Sequence, residues 1–485
     1  QKRVLNLIRL RYTGLLVFAT EVLSIFTGFI YLSLIARALS PADYGVWRFI
    51  SGVLLYFDFL QSVLPFWVLR DCSRGLPVER TAILGSLMLS MPFMALFVLL
   101  APGLAQIVDS QSCLFYLACI IIPGTYLMQV LDVIIRAKFP HKMAYKNVIL
   151  DLLKIISIIY LIQFGLFGVI LSFAIGLYGY IVFALHTTKN YLRNRFDKSR
   201  MRKWLSSSWL IMYGQAGDKT FIGIDVLLLG IFRSKHLGAY GVAETITSPI
   251  TAARGLSYAL YPKLLRKEQD SAGPEKTVMF LLMFLIPMTI GCVLLAPNLI
   301  DLFGSKYLDG LTALKILLIG ECINVVSVVD RYVTLGAEEI DASRVSLSLS
   351  RWLKSSIFFI QSMGYVGLAI AVPVMVFLIP VSDITGAAVA IFLAQTVTSL
   401  LEMWKSRFTA LKAISMKRLT KFLIASCVMS VFIITFYSRG TITTMFIIGS
   451  AIVVYFASLV LLDKETRDLG RVMINELKGI LTRTI

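Results

Sequence analysis

Charged residues are scarce in this chain of 485 residues. Asp, Glu, Lys and Arg together make up 15% of it, whereas hydrophobic residues make up 58%. A soluble domain of ordinary composition has about 25% charged residues. Apolar runs longer than about 18 residues recur along the whole sequence, and such runs are typical of transmembrane helices. The composition therefore predicts an all-α polytopic membrane protein.

The sequence also lacks the motifs of hydrolytic and metal-dependent enzymes. Its three histidines are scattered, and the spacing of its six cysteines suggests neither a metal site nor a disulfide framework. It has no glycine-rich phosphate loop, no zinc-protease motif and no nucleophile elbow. We therefore expect that the protein is not an enzyme and that it holds no metal and no resident cofactor.

The net charge of +19 lies mainly in short segments between the apolar runs. Nucleic-acid-binding proteins instead group basic residues along one face. Loop charges of this kind set the orientation of membrane helices and attract anionic lipid headgroups. The expected partners include membrane lipids and exclude nucleic acid.

About fourteen transmembrane helices are predicted. Loops after even-numbered spans are rich in Lys and Arg, and loops after odd-numbered spans carry few. This asymmetry predicts that the chain lies in the cell membrane with both termini in the cytosol. The segment Val345–Val381 is too long for one ordinary span, so it forms either one long helix or a broken one. The predicted spans are roughly Gly14–Ala38, Gly45–Trp67, Thr81–Ala101, Cys113–Ile135, Tyr145–Phe164, Val169–Leu185, Leu205–Phe232, Ala239–Tyr261, Val278–Leu299, Leu311–Leu335, Leu353–Val381, Gly386–Trp404, Phe422–Tyr437 and Thr441–Leu462.

One helix corner occurs twice. Arg37 and Tyr44-Gly45-Val46 recur as Arg233 and Tyr240-Gly241-Val242, which lie 196 residues further along (240 minus 44). Such a repeat predicts two six-helix bundles, at residues 1–195 and 196–407, which are related by an axis along the membrane normal. Residues 408–485 would add a C-terminal helix pair and a basic tail.

The residues of this corner also carry a family resemblance. An apolar helix with an internal Asp225 is followed by Leu237-Gly238-Ala239-Tyr240-Gly241, and the next helix ends in Leu260-Tyr261-Pro262. This pattern resembles the Wzx-type oligosaccharide flippases, the polysaccharide-export branch of the multidrug/oligosaccharidyl-lipid/polysaccharide exporter superfamily. Leu39-Ser40-Pro41-Ala42-Asp43-Tyr44-Gly45 looks like the first corner of the same family.

The resemblance implies a monomeric transporter that flips a lipid-linked oligosaccharide, with a phosphate or diphosphate headgroup, from the cytosolic to the outer leaflet. Transport would proceed by alternating access and would be coupled to Na⁺ or H⁺. Two other functions stay open. One is a multidrug/cation antiporter of the same superfamily, and the other is a protein similar to the lipid II flippases.

Charges inside the apolar spans are the candidate functional residues, because an ionisable group within the bilayer usually faces a cavity or a partner. Arginine and lysine suit a phosphate, whereas acids suit sugar hydroxyls or a coupling ion. The candidates for substrate binding are Arg48, Asp58, Lys219, Asp225, Arg254 and Arg331. The candidates for coupling or for a gate are Glu21, Asp218, Glu244 and Asp330.

The repeat pairs some of these charges. An offset of 196 residues carries Arg48 onto Glu244 and Asp58 onto Arg254, so the matching positions have opposite charges. If the two halves face each other, Arg48 would lie opposite Glu244 and Asp58 opposite Arg254. These pairs could bind substrate, or they could only hold helices or an outer gate together.

Overall fold

The computed structural model describes residues 20, 23–24, 26–192, 194–257, 273–336, 353–463 and 466–467. These residues are predominantly helical, and the part of the chain so described contains no β-strand. The helices, numbered in chain order, are α1 Phe26–Ala38, α2 Pro41–Phe57, α3 Val63–Ser73, α4 Glu79–Ile107, α5 Ser112–Ala118, α6 Ile121–Lys138, α7 Tyr145–Leu161, α8 Gly165–Thr188, α9 Lys198–Ser206, α10 Trp209–Ile231, α11 Leu237–Ala252, α12 Gly273–Leu294, α13 Ala296–Asp301, α14 Leu311–Gly336, α15 Ser356–Lys405, α16 Thr409–Lys412, α17 Met416–Thr435 and α18 Thr441–Leu462.

Eight helical stretches in the described residues are long and apolar enough to cross a membrane, or nine if the bent pair α2 and α3 forms one span. Two of the eight are 50 residues long, about twice the length that a bilayer requires. Each of these two contains a pair of predicted spans, and each of the fourteen predicted spans overlaps a helix. The prediction of an all-α polytopic membrane protein is confirmed.

The first of these stretches is an antiparallel hairpin of α7 and α8. Gly165 begins α8 with a φ of 60°, a left-handed conformation that glycine adopts without strain. Gly168 then faces Leu161, whereas Gly179 faces Leu153 further along the pair. The chain reverses direction around Gly165, in the gap between the predicted spans Tyr145–Phe164 and Val169–Leu185.

The second stretch, α15, breaks in its middle. Ser382 and Asp383 leave the helical conformation, and Asp383 has a φ of 49°. The break falls in the gap between the predicted spans Leu353–Val381 and Gly386–Trp404. The described part of Val345–Val381 is thus one continuous helix from Ser356 to the break, and residues 343–351 lie outside the described part.

Two helices begin and end at repeat-related positions. The offset of 196 residues carries the start of α2 at Pro41 onto the start of α11 at Leu237. Each helix is then followed by a 3₁₀ segment, Phe59–Ser62 after α2 and Ala253–Ser257 after α11. The local repeat is therefore present in the structure. The parallel relation of the two six-helix bundles stays a prediction.

The eighth predicted span was wrong in one respect. It was expected to continue as a helix through Arg254 to Tyr261, but α11 ends at Ala252 and Arg254 lies on the 3₁₀ segment. Pro249 lies inside the last turn of α11, where its ring removes a backbone donor and weakens the helix. Residues 258–272 lie outside the described part.

The described residues pack into two compact units. The first contains the chain up to Thr245 together with Gln361–Ala390. The second contains residues from Ile246 to 336, residues 353–360 and the chain from Ile391 onwards. The predicted bundle boundaries after residues 195 and 407 stay predictions.

Candidate functional site

Helices α2 and α10 form the framework of the site in the first unit. They run antiparallel, because residues later in α2 contact residues earlier in α10. At each contact a glycine on one helix faces a larger side chain on the other, which brings the two backbones close together. The contacts are Phe49 with Gly230, Gly52 with Val226, and Tyr56 with Gly223.

Arg48 of α2 forms an ion pair with Glu244 of α11. The Nη2 of Arg48 donates to Oε2 of Glu244, and the two side chains are 19% and 32% exposed. The predicted proximity of these residues is confirmed. The Nε of Arg48 is buried and donates to no acceptor among the described residues. The guanidinium therefore keeps one donor available beside its carboxylate partner.

A cavity of about 170 Å³ lies beside this ion pair. Three helices of the first unit contribute to it. Its lining combines the ion pair, one hydroxyl, two glycines and three aliphatic side chains: Arg48, Ser51, Gly52, Leu55, Ile222, Gly223, Val226 and Glu244. A concave apolar surface with a few polar groups is the usual form of a small-molecule site.

Asp225 is held by two hydrogen bonds at the back of this region. Its Oδ2 accepts from the hydroxyl of Tyr240 at 2.7 Å, and its Oδ1 accepts from the backbone N–H of Val226 at 2.8 Å. Asp225 is 5% exposed. The observed contact is a hydrogen bond between α10 and α11, so the corner that contains Tyr240 is tied to α10. A substrate contact of Asp225 stays a prediction.

Asp58 directly follows the last residue of α2, and Lys219 lies in α10 four residues before Gly223. Oδ1 of Asp58 accepts from Thr125 at 2.7 Å, and its carboxylate interacts electrostatically with Lys219. Lys219 is half-buried and has no hydrogen bond or ion pair with another described residue. The neighbouring Asp218 is exposed. Among the candidate cations, Lys219 thus differs from Arg48, Arg254 and Arg331 in that its ammonium forms no ion pair with a described residue.

In the second unit, Arg254 belongs to a larger polar network around Glu321 of α14. Arg254 donates to Oε2 of Glu321 at 2.8 Å, and Thr251 donates to the same oxygen at 3.1 Å. Gln395 of α15 donates to Oε1 at 2.6 Å. Three donors therefore converge on one carboxylate, which joins three segments of this unit.

Arg331 and Asp330 of α14 form a second set of contacts in the same unit. Arg331 donates through Nη2 and Nε to Oε1 of Glu402, at 2.7 and 3.1 Å. Asp330 accepts from Ser406 and from the backbone N–H of Ala410 at 3.0 Å, so it caps the short helix α16. These contacts attach the end of α15 to α14.

The structure therefore brings some of the predicted residues together and places others in separate ion pairs. Arg48, Glu244 and Asp225 lie together, as do Asp58 and Lys219, whereas Arg254 and Arg331 each bind a separate acid in the second unit. Glu21 lies outside the described residues, and the pairing of Asp58 with Arg254 stays a prediction.

The partners Glu321, Gln395 and Glu402 were not among the predicted site residues. Glu321 and Glu402 could have been found from sequence, because each is an acid inside an apolar run. Gln395 carries no charge, so the sequence offers no comparable signal for it. Within the described residues, no group of three or more His, Cys, Asp or Glu side chains could hold a metal ion.

A comparison with known proteins identifies a family whose model matches this chain. The family model described as "Polysaccharide biosynthesis protein" matches residues 34–311, which is more than half of the chain. None of the curated proteins compared with the chain matches it.

Several solved structures share the fold. The lipid II flippase MurJ in an inward closed conformation superposes with a TM-score of 0.71 at 14% identity, over 94% of this chain and 99% of the other. An outward-facing MATE family multidrug resistance transporter of the MOP superfamily gives a TM-score of 0.55 at 13% identity, over 83% and 96%. A MATE protein in a straight conformation gives 0.54 at 14% identity, over 84% and 96%.

At these identities the structural similarity shows that the chain shares the fold of these flippase and transporter structures. The matching family model covers both α2 and α10, including Arg48 and Lys219. The resemblance that the repeated corner suggested is confirmed at this level. The chain belongs to the polysaccharide biosynthesis protein family, as a multi-pass membrane protein with the fold of flippases and transporters.

Proposed function

We propose that the protein flips a lipid-linked oligosaccharide from the cytosolic to the outer leaflet of the cell membrane by alternating access. The proposal includes both termini in the cytosol, a monomer as the working unit, and no enzymatic activity. The observation that carries it is membership of the polysaccharide biosynthesis family, together with a transporter fold that spans 94% of the chain. Such a protein has to move a charged headgroup through the bilayer, so it needs polar groups within its spans.

Lys219 is the proposed anchor for the headgroup phosphate. The cations Arg48, Arg254 and Arg331 are each paired with a carboxylate, so a phosphate at any of them would compete with that carboxylate. Lys219 interacts with Asp58 through space and makes no hydrogen bond or ion pair with another described residue. Its ammonium can therefore bind a phosphate without breaking an existing hydrogen bond.

Coupling to Na⁺ or H⁺ is part of the proposal. Acids inside the spans are the groups that exchange protons or cations in membrane transporters. The candidates are Glu21, Asp218, Glu244 and Asp330, and of these Glu244 borders the cavity. Binding of the coupling ion to Glu244 would release Arg48, so ion binding and headgroup binding would be linked.

The direct test is a flipping assay in proteoliposomes with a fluorescent oligosaccharide linked to a polyprenyl diphosphate. Wild-type protein should move the lipid to the opposite leaflet faster than protein-free vesicles do. Lys219→Met should reduce the rate at least tenfold, which corresponds to about 1.4 kcal/mol of lost interaction. Lys203→Met, which changes an exposed lysine of α9, is the control and should leave the rate unchanged. A wild-type rate equal to that of empty vesicles would rule the proposal out.

The orientation has its own test. In a cysteine-free background, single cysteines in place of Ser110 and Ser305 should react with an impermeant maleimide added to sealed cells, because both follow odd-numbered spans. A cysteine in place of Ser199, which is exposed at the start of α9, should react only after the membrane is opened. Labelling of position 199 from outside would reverse the proposed topology.

A further inference from the structure

Two buried polar atoms close to the cavity beside the Arg48–Glu244 pair have no hydrogen-bond partner among the described residues. The Nε of Arg48 and the hydroxyl of Tyr56 are both buried without a hydrogen-bond partner among the described residues. The ring of Tyr56 lies against Gly223, which lines the cavity. Ser51 donates its hydroxyl proton to the carbonyl of Trp47 at 2.9 Å, so its oxygen can still accept. Buried polar groups without partners are costly, and a bound ligand would satisfy them.

The charges around the cavity disfavour an anion. Arg48 and Glu244 neutralise each other, and Asp225 lies close enough to interact with Arg48. Even with Asp225 uncharged, the lining has no net positive charge. A phosphate that took Arg48 would remove the cation that now pairs with Glu244, and the phosphate would add a negative charge close to the Glu244 carboxylate. The ligand that fits these groups is therefore polar and uncharged.

The volume of the cavity and the apolar part of its lining further restrict the kinds of ligand that fit. The cavity of about 170 Å³ is smaller than the roughly 300–1,000 Å³ of sites for drug-sized ligands. It can hold one ring, and a whole oligosaccharide is too large for it. Leu55, Ile222 and Val226 provide an apolar wall opposite the polar groups. A sugar ring presents this same combination, with C–H groups on its faces and hydroxyls around its edge.

The cavity is also aligned with Lys219. Lys219, Ile222, Gly223 and Val226 are spaced by three and four residues, so they lie on one face of α10. Gly223 comes four residues after Lys219, which is a rise of about 6 Å along the helix axis. That distance is comparable with the step from a phosphate to the first sugar attached to it.

We propose that this cavity binds one uncharged sugar ring of the headgroup, the one next to the phosphate, while Lys219 holds the phosphate. This assignment rests on the proposed function, because it divides one lipid-linked headgroup between two parts of the first unit. Arg48, Ser51 and Glu244 would bind the ring hydroxyls, and the aliphatic wall would contact a ring face.

The test compares two lipids that differ only in the sugar. The affinity of the purified full-length protein in detergent is measured for a polyprenyl diphosphate and for the same lipid carrying a single glucose, galactose or N-acetylglucosamine. At least one glycosylated lipid should bind wild-type protein roughly tenfold more tightly than the bare lipid, from two or three new hydrogen bonds. Ile222→Trp, which fills the cavity from a side chain that is 54% exposed, should reduce this ratio to about one.

Three further variants test whether the change in the affinity ratio comes from the cavity. Ile231→Trp places the same side chain at a 49% exposed position of α10 outside the cavity and should keep the wild-type ratio. Tyr56→Phe should lower the ratio without changing the affinity for the bare lipid. Lys219→Met should weaken binding of both lipids by the same factor and leave the ratio intact.

Two results would overturn the assignment: a ratio of one in wild-type protein for every sugar, or an unchanged ratio in Ile222→Trp. Either can occur while wild-type protein still flips the full oligosaccharide lipid, and the proposed function would then stand without this sugar site. Absence of flipping by wild-type protein would instead remove the proposed function, whatever the binding ratio.

Discussion

The Arg48–Glu244 pair of the first unit and the Arg254–Glu321 pair of the second unit have different surroundings. Arg48 and Glu244 border a cavity. The Nε atoms of Arg48 and Arg254 are both buried without a hydrogen-bond partner among the described residues, so this feature does not distinguish the pairs. Arg254 binds Glu321 within a network in which Thr251 and Gln395 also donate to the same carboxylate. Both pairs arise from the same sequence feature, which is a charge inside an apolar span.

The difference in surroundings indicates which ion pair can exchange one of its partners for a ligand. A carboxylate with three donors loses several hydrogen bonds if one segment moves away, so the Glu321 network resists rearrangement. An ion pair at the edge of a cavity can exchange one partner for a ligand at lower cost. We therefore expect the Arg48–Glu244 pair to exchange partners during transport, and the Arg254–Glu321 pair to stay intact and hold its unit together.

The largest expected effect is on stability in the second unit. Glu321→Ala leaves Arg254, Thr251 and Gln395 without their common acceptor. Breaking a buried ion pair costs about 3–5 kcal/mol, and the low end applies because Arg254 keeps 28% of its side chain exposed. We expect a loss of about 3 kcal/mol in the free energy of unfolding in detergent. Glu244→Ala is the matched control and should cost less, and a larger loss for Glu244→Ala would reverse the comparison.

Transport should be the next most sensitive property. Arg254→Ala removes the guanidinium from the Glu321 network, and we expect flipping to be lost while the protein still inserts into the membrane. Arg254→Lys keeps the charge without the planar fork and should retain part of the activity. Flipping rates at equal protein levels measure both. Full activity in Arg254→Ala would exclude Arg254 from any role in transport.

The first pair can be tested by reversing its charges. Arg48→Glu and Glu244→Arg each place two like charges side by side, so each single variant should flip lipid at least tenfold more slowly, an effect of about 1.4 kcal/mol. The double variant restores an ion pair and should recover to within a few-fold of wild type. Equal losses in the single and double variants would mean that the pair has no transport role of its own.

The smallest expected effect concerns Asp463, an acid just after α18 that lies outside both networks. Burial opposes its ionisation, but hydrogen bonds from Lys421 at 2.9 Å and from Thr466 outweigh burial and hold the pKa of Asp463 below its usual value. A folded-state pKa below that of the unfolded chain adds stability above about pH 4, and this stability is lost as the pH falls through the folded value.

Asp463→Asn should therefore cost about 1 kcal/mol at pH 7 and progressively less in acid. Unfolding midpoints measured from pH 7 down to pH 3 would show the two proteins converging. A constant difference across this range would mean that the contribution of Asp463 is not electrostatic.

Local features of the sequence determined much of the architecture. Apolar runs of bilayer length predicted the spans, because a backbone inside lipid has to satisfy its own hydrogen bonds as helix. The repeated corner predicted that two helices follow matching turns, although α2 and α11 begin at Pro41 and Leu237, a few residues before the predicted span starts at Gly45 and Ala239. The offset of 196 residues also predicted the contact of Arg48 with Glu244, because it linked two charges of opposite sign.

Only the tertiary structure decided the partners of the other charges. Glu321 meets Arg254 across 67 residues and Gln395 across 74, and Arg331 meets Glu402 across 71. A hydrophobic run predicts that a helix exists. It does not predict how the helix is rotated about its axis or which neighbouring helix it packs against. The cavity beside Gly52 and Gly223 likewise exists only because α2 and α10 approach closely, and that approach depends on side chains from both helices.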